Sequence, residues 1–268
     1  MAGRIALIAG QGRLPELLAA AAPEALVAEM EGFPTGLAGA ERFRFERLVP
    51  FMDRLHDLGV TDLVFAGRIH RPKLEPEFFD PRTAQLVPRV AMAMGRGDDG
   101  LLREVLAIFE EDGFRILGAE AILPDLVPGE GALTAAAPSA ADLKDIARAV
   151  EIVAALGGLD VGQGAVVAQG QCLAVEALPG TDAMLDFVAA TARRADAKGA
   201  RGVFYKAPKP GQDRRVDLPV LGPQTVEKAA AAGLAGIAFE AGGVLMLDRA
   251  AMVAAAERLG LFLWGRAA

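Results

Sequence analysis

Short apolar runs alternate with longer amphipathic segments in the first half of the chain. The runs of strand length are residues 4–9, 25–30, 61–66 and 114–120. The segments between them carry apolar residues at helical spacing, and the first of these helices is predicted to start near Pro15. Strands that alternate with helices predict an α/β fold, with a Rossmann-like, doubly wound parallel sheet in the first domain.

The pattern changes after a stretch rich in proline and glycine. We predict a first domain over 1–125, a linker over 126–139 and a second α/β domain over 140–268. The second domain is predicted to contain hairpins, one of them a strand pair around Gly242 and Gly243. Because clefts between domains are preferred ligand sites, we expect the ligand to bind there.

Composition narrows the class of protein. No apolar run reaches the length of a spanning helix, the N-terminal run is too short for a signal peptide, and Cys172 is the single cysteine. These features predict a cytoplasmic protein, and a net charge of −7 argues against nucleic acid as a partner. A local excess of positive charge, eight Lys and Arg against three Asp, nevertheless lies between Arg193 and Asp217.

Missing residue types exclude several chemistries. Ser139 is the single serine, asparagine is absent, and the two histidines have no companions at metal-ligand spacing. Ser139 stands three residues before Asp142, the spacing of a helix capping box, so a serine hydrolase and a zinc enzyme are both disfavoured. If the chain is an enzyme, its catalysis must therefore depend on Asp, Glu, Lys and Arg with a hard cation, a combination that suits phosphate chemistry.

The turn after the first strand is a candidate phosphate site. Gly10 and Gly12 precede the first helix, whose N-terminus can bind an anion, although a tight turn without a ligand explains them equally well. A dinucleotide fingerprint needs glycine where the chain has Pro15. Glu29 and Glu31 end the second strand, where an acidic residue can meet a ribose.

Further charged groups follow strands or begin helices. Arg68 and Arg71 come after a parallel strand, in position for a diphosphate or simply in a solvated loop. Asp98 and Asp99 begin a helix, as metal ligands or as partners of the helix dipole.

A second set of candidates lies around residues 174–182. Glu176 closes a strand, and Thr181 with Asp182 opens a helix, where both substrate binding and helix capping account for them.

The segment 206–219, KAPKPGQDRRVDLP, is hard to explain as structure alone. Its prolines prevent a helix, so its charges cannot form a helical salt-bridged face. The alternative is a flexible, solvated loop. In the functional interpretation, Lys and Arg neutralise a diphosphate while Asp213 or Asp217 binds Mg²⁺ or orients water.

Four motifs together resemble the LpxI family of UDP-2,3-diacylglucosamine pyrophosphatases. They are IAGQGRLP (8–15), RGDDGLLR (96–103), LAVEALPGTD (173–182) and KAPKPGQDRRVDLPVLGPQTV (206–226). The resemblance implies Mg²⁺-dependent hydrolysis of UDP-2,3-diacylglucosamine to 2,3-diacylglucosamine 1-phosphate (lipid X) and UMP in lipid A biosynthesis. It also implies that the domain over 1–125 binds the nucleotide and that the domain over 140–268 is catalytic and binds the lipid. Transient contact with the inner membrane is implied as well. Gln224 stands where an acidic residue is expected, which puts any metal role of that position in doubt.

We assign candidate roles on this basis. The catalytic candidates are Asp217, Asp213, Lys206 and Arg214, and the metal-binding candidates are Asp217, Asp213, Asp98 and Asp99. The substrate-binding candidates are Gly10, Gln11, Gly12, Leu14, Arg68, Arg71, Glu176, Thr181, Asp182, Lys209 and Arg215. Two alternatives stay open: a nucleotide-dependent oxidoreductase or epimerase, and a non-catalytic protein that binds an anionic lipid.

Overall fold

The computed structural model describes residues 3–70, 72–95 and 98–267, with the side chains of Asp98 and Asp99 excepted. The chain divides into two compact units, Met1–Pro124 and Asp125–Ala268. The segment 126–139, predicted as a linker, lies in the second unit and includes a short strand. The ligand cleft predicted between the domains stays a prediction.

The first unit contains one parallel sheet with helices. Its strands are β1 (Arg4–Ala9), β2 (Leu26–Met30), β3 (Glu41–Phe43), β4 (Val60–Ala66) and β5 (Arg115–Leu117). Its helices are α1 (Arg13–Ala21), α2 (Leu48–Asp57), α3 (Pro81–Ala84), α4 (Val87–Met94) and α5 (Asp98–Glu111). The strand order is β3-β2-β1-β4-β5, which confirms the predicted doubly wound sheet. The fifth strand is shorter than predicted, because residues 119–121 form a 3₁₀ turn.

The order of these strands determines where a ligand can bind. The central strand β1 is buried from Ala6 to Ala9, since helices cover both faces of a doubly wound sheet. The chain leaves β1 toward β2 on one side and later returns to β4 on the other. In open α/β sheets the carboxyl ends of strands at such a switch point form the ligand crevice.

The second unit is built on a mixed sheet. Its strands are β6 (Gly131–Ala132), β7 (Gly164–Ala168), β8 (Gln171–Val175), β9 (Val203–Lys206), β10 (Val220–Leu221), β11 (Gly236–Glu240), β12 (Leu245–Met246) and β13 (Phe262–Arg266). Its helices are α6 (Ala140–Gly157), α7 (Gly180–Thr191), α8 (Pro223–Ala231) and α9 (Arg249–Leu259). Six strands pair in the order β6-β13-β11-β9-β7-β8, and β10 pairs with β12 in a separate two-stranded sheet.

Both faces of the six-stranded sheet are buried. On one face Val167 and Tyr205 pack with Ile146 and other residues of α6. On the other face Phe204 packs with Met252 and other residues of α7, α8 and α9. The unit is therefore a three-layer sandwich, which explains why β7 and β9 read as continuous apolar runs. Ser139 and Asp142 form the predicted capping box at the start of α6.

One of the two predicted strand pairs is a hairpin and the other is not. Strands β7 and β8 pair antiparallel around Gln169 and Gly170, both with positive φ, as a type I′ hairpin turn requires. The prediction of a strand pair around Gly242 and Gly243 was wrong. After β11 the chain bends away, and Leu245 donates its N–H to the carbonyl of Pro219, so that β12 pairs with β10 in parallel. Glycine allows the chain to bend at both places, so it does not distinguish a hairpin from another kind of bend.

Within the described ranges, no helix combines the length and the apolar character needed to cross a bilayer.

Candidate active site

The turn after β1 is fixed to the turn after β4. Gly10 N–H donates to the carbonyl of Ala66 at 2.7 Å, and Gln11 and Arg68 exchange two backbone hydrogen bonds at 2.9 and 2.8 Å. A Cβ on Gly10 would lie 2.7 Å from the Arg68 carbonyl oxygen, so only glycine fits there. Gly12 precedes α1 with a φ of 111°, a conformation that favours glycine. This turn, residues 10–12, which we call the GQG turn, thus lies at the switch point of the sheet.

The neighbouring residues define this turn further. Pro15 is buried, and its ring packs so closely on Gly67 that a Cβ there would lie 2.7 Å from Pro15 Cγ. Leu14 lies half-buried in the first turn of α1, and the Arg68 side chain is exposed. Arg71 lies outside the described residues. Proline therefore fills the place that the dinucleotide fingerprint reserves for glycine.

Glu29 at the end of β2 accepts hydrogen bonds from residues of its own unit. One carboxylate oxygen accepts from the Thr35 N–H and hydroxyl, each at 2.8 Å, and the other accepts from Arg42 at 3.0 Å. These bonds, that from the Thr35 backbone first, lower the pKa of Glu29. Glu31 pairs with Arg44 at 2.6 Å. The bonds to Glu29 stabilise the loop after β2, so the structure gives no support to a ribose contact by this residue.

In the second unit, the segment 207–219 after β9 is a defined loop, which we call the aspartate loop. A Cβ on Gly157 would lie 2.9 Å from the Pro210 ring, and one on Gly243 would lie 3.0 Å from the Pro208 ring. The two prolines are therefore packed against glycines from neighbouring segments. This packing helps to hold the loop in place.

Asp217 lies in a chain of amide hydrogen bonds. Gln212 donates one N–H of its side-chain amide to the Asp217 carboxylate, and its carbonyl oxygen accepts from Gln163 at 2.7 Å. The same oxygen accepts from the Lys209 N–H at 3.0 Å. The Asp217 N–H donates to the carbonyl of Asp213 at 3.0 Å. The Asp217 carboxylate is therefore oriented by two glutamines that sequence reasoning did not single out.

The cations of the aspartate loop have carboxylate partners. Lys209 pairs with Asp160 at 2.5 Å and Arg214 with Glu240 at 2.6 Å. Arg215 binds the Asp213 carboxylate through two guanidinium nitrogens and its backbone N–H, at distances of 2.7 to 3.3 Å. A bound diphosphate would have to share or replace these partners.

Lys206 differs from the other cations because it is buried. It ends β9 with 5% of its side chain exposed, and it donates to Glu176 at 3.2 Å and to the Thr181 hydroxyl. The Thr181 hydroxyl donates to the same Glu176 oxygen at 2.8 Å. Burial lowers the pKa of the Lys206 ammonium, and the charges of Glu176 and Asp182 oppose that shift. The structure thus brings three predicted site residues into one buried cluster.

The other oxygen of Glu176 has a different environment. Glu176 Oε2 is buried and has no hydrogen-bond partner among the described residues. A Cβ on Gly164 would lie 2.8 Å from this atom, so glycine is needed for the carboxylate to fit. Asp182 lies in the first turn of α7 and is exposed. Thr181 is bound to Lys206 and Glu176, so the simple capping interpretation of its hydroxyl does not apply.

Of the four candidate metal ligands, the structure describes the side chains of Asp213 and Asp217. Among the residues that the structure describes, no three Asp, Glu, His or Cys side chains come together as a metal site. Asp98 and Asp99 begin α5, but their side chains lie outside the described part of the chain. Asp213 and Asp217 share one hydrogen-bonded turn. Two carboxylates, completed by substrate phosphates and water, are a donor set that suits Mg²⁺.

Comparison with known proteins covers both units. Residues 4–126 match the family "LpxI N-terminal domain", and residues 129–264 match "LpxI C-terminal domain". The chain is also 40% identical over 276 aligned residues to a protein of Caulobacter vibrioides, covering 98% of this chain and 97% of the relative. That relative is named UDP-2,3-diacylglucosamine pyrophosphatase LpxI. These matches confirm the resemblance that the four motifs indicate.

Proposed function

Because the chain belongs to the LpxI family, we propose that it hydrolyses the pyrophosphate bond of UDP-2,3-diacylglucosamine in lipid A biosynthesis. Water adds to the phosphorus on the sugar side and the bond to the UMP oxygen breaks, which gives 2,3-diacylglucosamine 1-phosphate and UMP. The observation that carries the proposal is the near full-length similarity to the Caulobacter pyrophosphatase. The aspartate loop supports it, because carboxylates and cations stand there on one proline-packed segment.

Asp217 is the principal acid in this proposal. Its carboxylate is held by Gln212, which Gln163 holds in turn, so its orientation is fixed before substrate binds. A fixed carboxylate can accept a proton from water or hold a metal ion in the geometry the reaction needs. Asp213 lies in the same turn and also binds Arg215, so it supports the loop as well as the chemistry.

The cations of the second unit balance the phosphate charge. Arg214, Arg215 and Lys209 lie on the aspartate loop and can turn from their carboxylate partners to phosphate oxygens. Because Lys206 is buried, it contacts the diphosphate only at close range or acts on it through its bonds to Glu176 and Thr181. Asp182 lies beside this cluster in α7.

The first unit binds the UDP part of the substrate in this proposal. The GQG turn offers the N-terminus of α1 at the switch point of the sheet, and the Leu14 and Arg68 side chains lie next to it. Arg71 belongs to the same predicted set but lies outside the described residues.

We further propose that Mg²⁺ is the cofactor. Asp217 and Asp213 would hold it, with Asp98 and Asp99 as further candidates, and their hard oxygens match its preference. A bound Mg²⁺ neutralises charge on phosphate oxygens and so makes the phosphorus more accessible to a nucleophile. The remaining steps depend on the protein: Asp217 orients water, and the Lys and Arg side chains fix the diphosphate.

Substitution of Asp217 tests the assignment. In Asp217→Ala, we expect UMP release from detergent-dispersed UDP-2,3-diacylglucosamine to fall by about 10²-fold or more, since one preorganised group is lost. Asp186→Ala is the matched control, because Asp186 is an exposed acid of α7 that pairs with Lys228. Thermal unfolding of both variants should resemble that of the wild type. Near wild-type turnover in Asp217→Ala would remove this residue from the chemistry.

A chelator and a ligand screen test the cofactor and the alternatives. EDTA should abolish UMP release and added Mg²⁺ should restore it, whereas activity that EDTA leaves unchanged contradicts the metal role.

UDP at 100 times its dissociation constant should raise the free energy of unfolding by about 2.7 kcal/mol. Stabilisation by NAD(P)H instead of UDP would favour an oxidoreductase or epimerase, and binding without UMP release would favour a lipid-binding protein.

A further inference from the structure

Three segments of the second unit meet at one edge of its sheet. Gly164 at the start of β7 pairs with Lys206 at the end of β9, and Ala165 pairs with Val175 at the end of β8. The loops 158–163 and 176–179 therefore lie at the same edge as the aspartate loop. A Cβ on Gly162 would lie 2.0 Å from the Glu176 carbonyl oxygen, so the first two loops are in direct contact.

These two loops expose apolar side chains beside the candidate site. Leu159 is 74% exposed, Val161 41% and Leu178 101%, and we call these three residues the apolar rim. A single exposed leucine needs no explanation, but three exposed apolar residues on two touching loops next to a polar site do. Burying a leucine is favourable, so these side chains gain free energy only when a partner covers the rim.

The chain holds the rim in place by contacts with the aspartate loop. Asp160, between the two apolar residues of its loop, has a φ of 57° and accepts from Lys209 of the aspartate loop at 2.5 Å. Gly157, at the base of the same loop, packs against Pro210. The turn that presents Leu159 and Val161 is thus connected to the loop that carries the proposed catalytic acid.

We propose that the apolar rim inserts into the surface of the bilayer that holds the substrate. This inference rests on the proposed function, because a substrate with two acyl chains resides in a membrane and is cleaved in its head group. The edge of the second unit that cleaves the head group must then face the membrane. Electrostatic attraction does not provide the contact, because the net charge is −7 and the nearby cations Lys209, Arg214 and Arg215 have carboxylate partners.

Co-sedimentation with vesicles tests the rim without reference to activity. The variants are Leu159→Ser/Leu178→Ser and, as a matched control, Leu143→Ser, which is 43% exposed near the start of α6. Leu143 precedes Gly157 by 14 residues, or about 21 Å along the helix. With phosphatidylethanolamine–phosphatidylglycerol vesicles, we expect the partition coefficient of the double variant to fall by about tenfold or more. The control should bind as the wild type does.

An activity measurement with two forms of substrate completes the test. UMP release from substrate embedded in vesicles should fall in the double variant, whereas release from detergent-dispersed substrate should stay within about twofold of the wild type. A wild-type protein without UMP release in detergent would contradict the proposed function, and the vesicle-binding result would still decide the rim.

Three results would overturn the inference. The first is equal vesicle binding by the wild type and the double variant, including no binding by either. The second is loss of self-association in the double variant with unchanged vesicle binding, which would assign the rim to a second copy of the chain. The third is an equal loss of activity on dispersed substrate, which would assign the leucines to direct contact with the substrate.

Discussion

At the scale of single residues, the buried cluster of Lys206, Glu176 and Thr181 allows the sharpest test of how charge stabilises this protein. In Lys206→Met, the Glu176 carboxylate stays buried without its cation. Removal of one partner of a buried pair typically costs about 3–5 kcal/mol, so we expect the free energy of unfolding to fall by that amount in urea titrations. Adding Glu176→Gln to this variant should restore part of the loss.

A surface pair provides the control for this prediction. Lys228 pairs with the exposed Asp186 at 2.6 Å, and Lys228→Met should cost at most about 1 kcal/mol. Equal losses in Lys206→Met and Lys228→Met would show that the buried cluster contributes no more than an exposed ion pair.

The contribution of Lys206 to the free energy of unfolding changes with pH in a definite direction. Burial lowers the pKa of Lys206 in the folded protein, so between that pKa and the ordinary lysine pKa of 10.5 the unfolded chain binds more protons. The Lys206 contribution to the free energy of unfolding therefore rises with pH across this window. The difference between the wild type and Lys206→Met should show this rise, and a flat or falling difference would contradict the burial of the ammonium.

The sequence predicts the types of residue at the site better than their contacts. Proline and charge in 206–219 indicate a non-helical cationic loop, and that loop is present. The pairing of Lys209 with Asp160 joins residues 49 positions apart, which no local pattern reveals. Gln163 and Gln212 orient Asp217, but glutamine carries no charge or spacing signal that distinguishes it from a surface residue.

At the scale of elements, the GQG turn is a junction between two strand ends. In Gly10→Ala, the new Cβ would overlap the backbone of Arg68 and not a movable side chain. Overpacking of this kind costs about 1–3 kcal/mol, so we expect a loss of that size in the free energy of unfolding. Gly95→Ala is the control, because its Cβ would lie 3.4 Å from its nearest neighbour. Unchanged stability in Gly10→Ala would show that the two turns move apart at little cost.

Periodicity predicts most elements of this chain but not all of their pairings. Four of the five strands of the first sheet follow from apolar runs, and β3, with the sequence ERF, does not. The parallel arrangement follows from the helices that alternate with the strands. The pairing of β12 with β10 depends on contacts between segments about 25 residues apart, since Val220 stands opposite Leu245. A Gly-Gly pair is compatible with a hairpin turn and with a bend, so the sequence could not distinguish the two.

At the scale of the whole molecule, each of the three described sheets lies within one unit, and each unit matches its own family domain. We therefore expect residues 1–124 and 125–268 to fold as separate fragments with cooperative unfolding, measured by circular dichroism in urea. The full-length chain is the reference for both fragments. A fragment without a cooperative transition would show that its unit requires the other for stability.

The fragments also test whether nucleotide binding and catalysis belong to different units. The GQG turn lies in the first unit, so UDP at 100 times its dissociation constant should stabilise fragment 1–124 by about 2.7 kcal/mol and leave fragment 125–268 unchanged. Neither fragment alone should release UMP, because the proposed UDP contacts and Asp217 lie on different fragments. Stabilisation of fragment 125–268 by UDP would move the nucleotide site to the unit of the aspartate loop. UMP release by that fragment alone would make the GQG turn dispensable for catalysis.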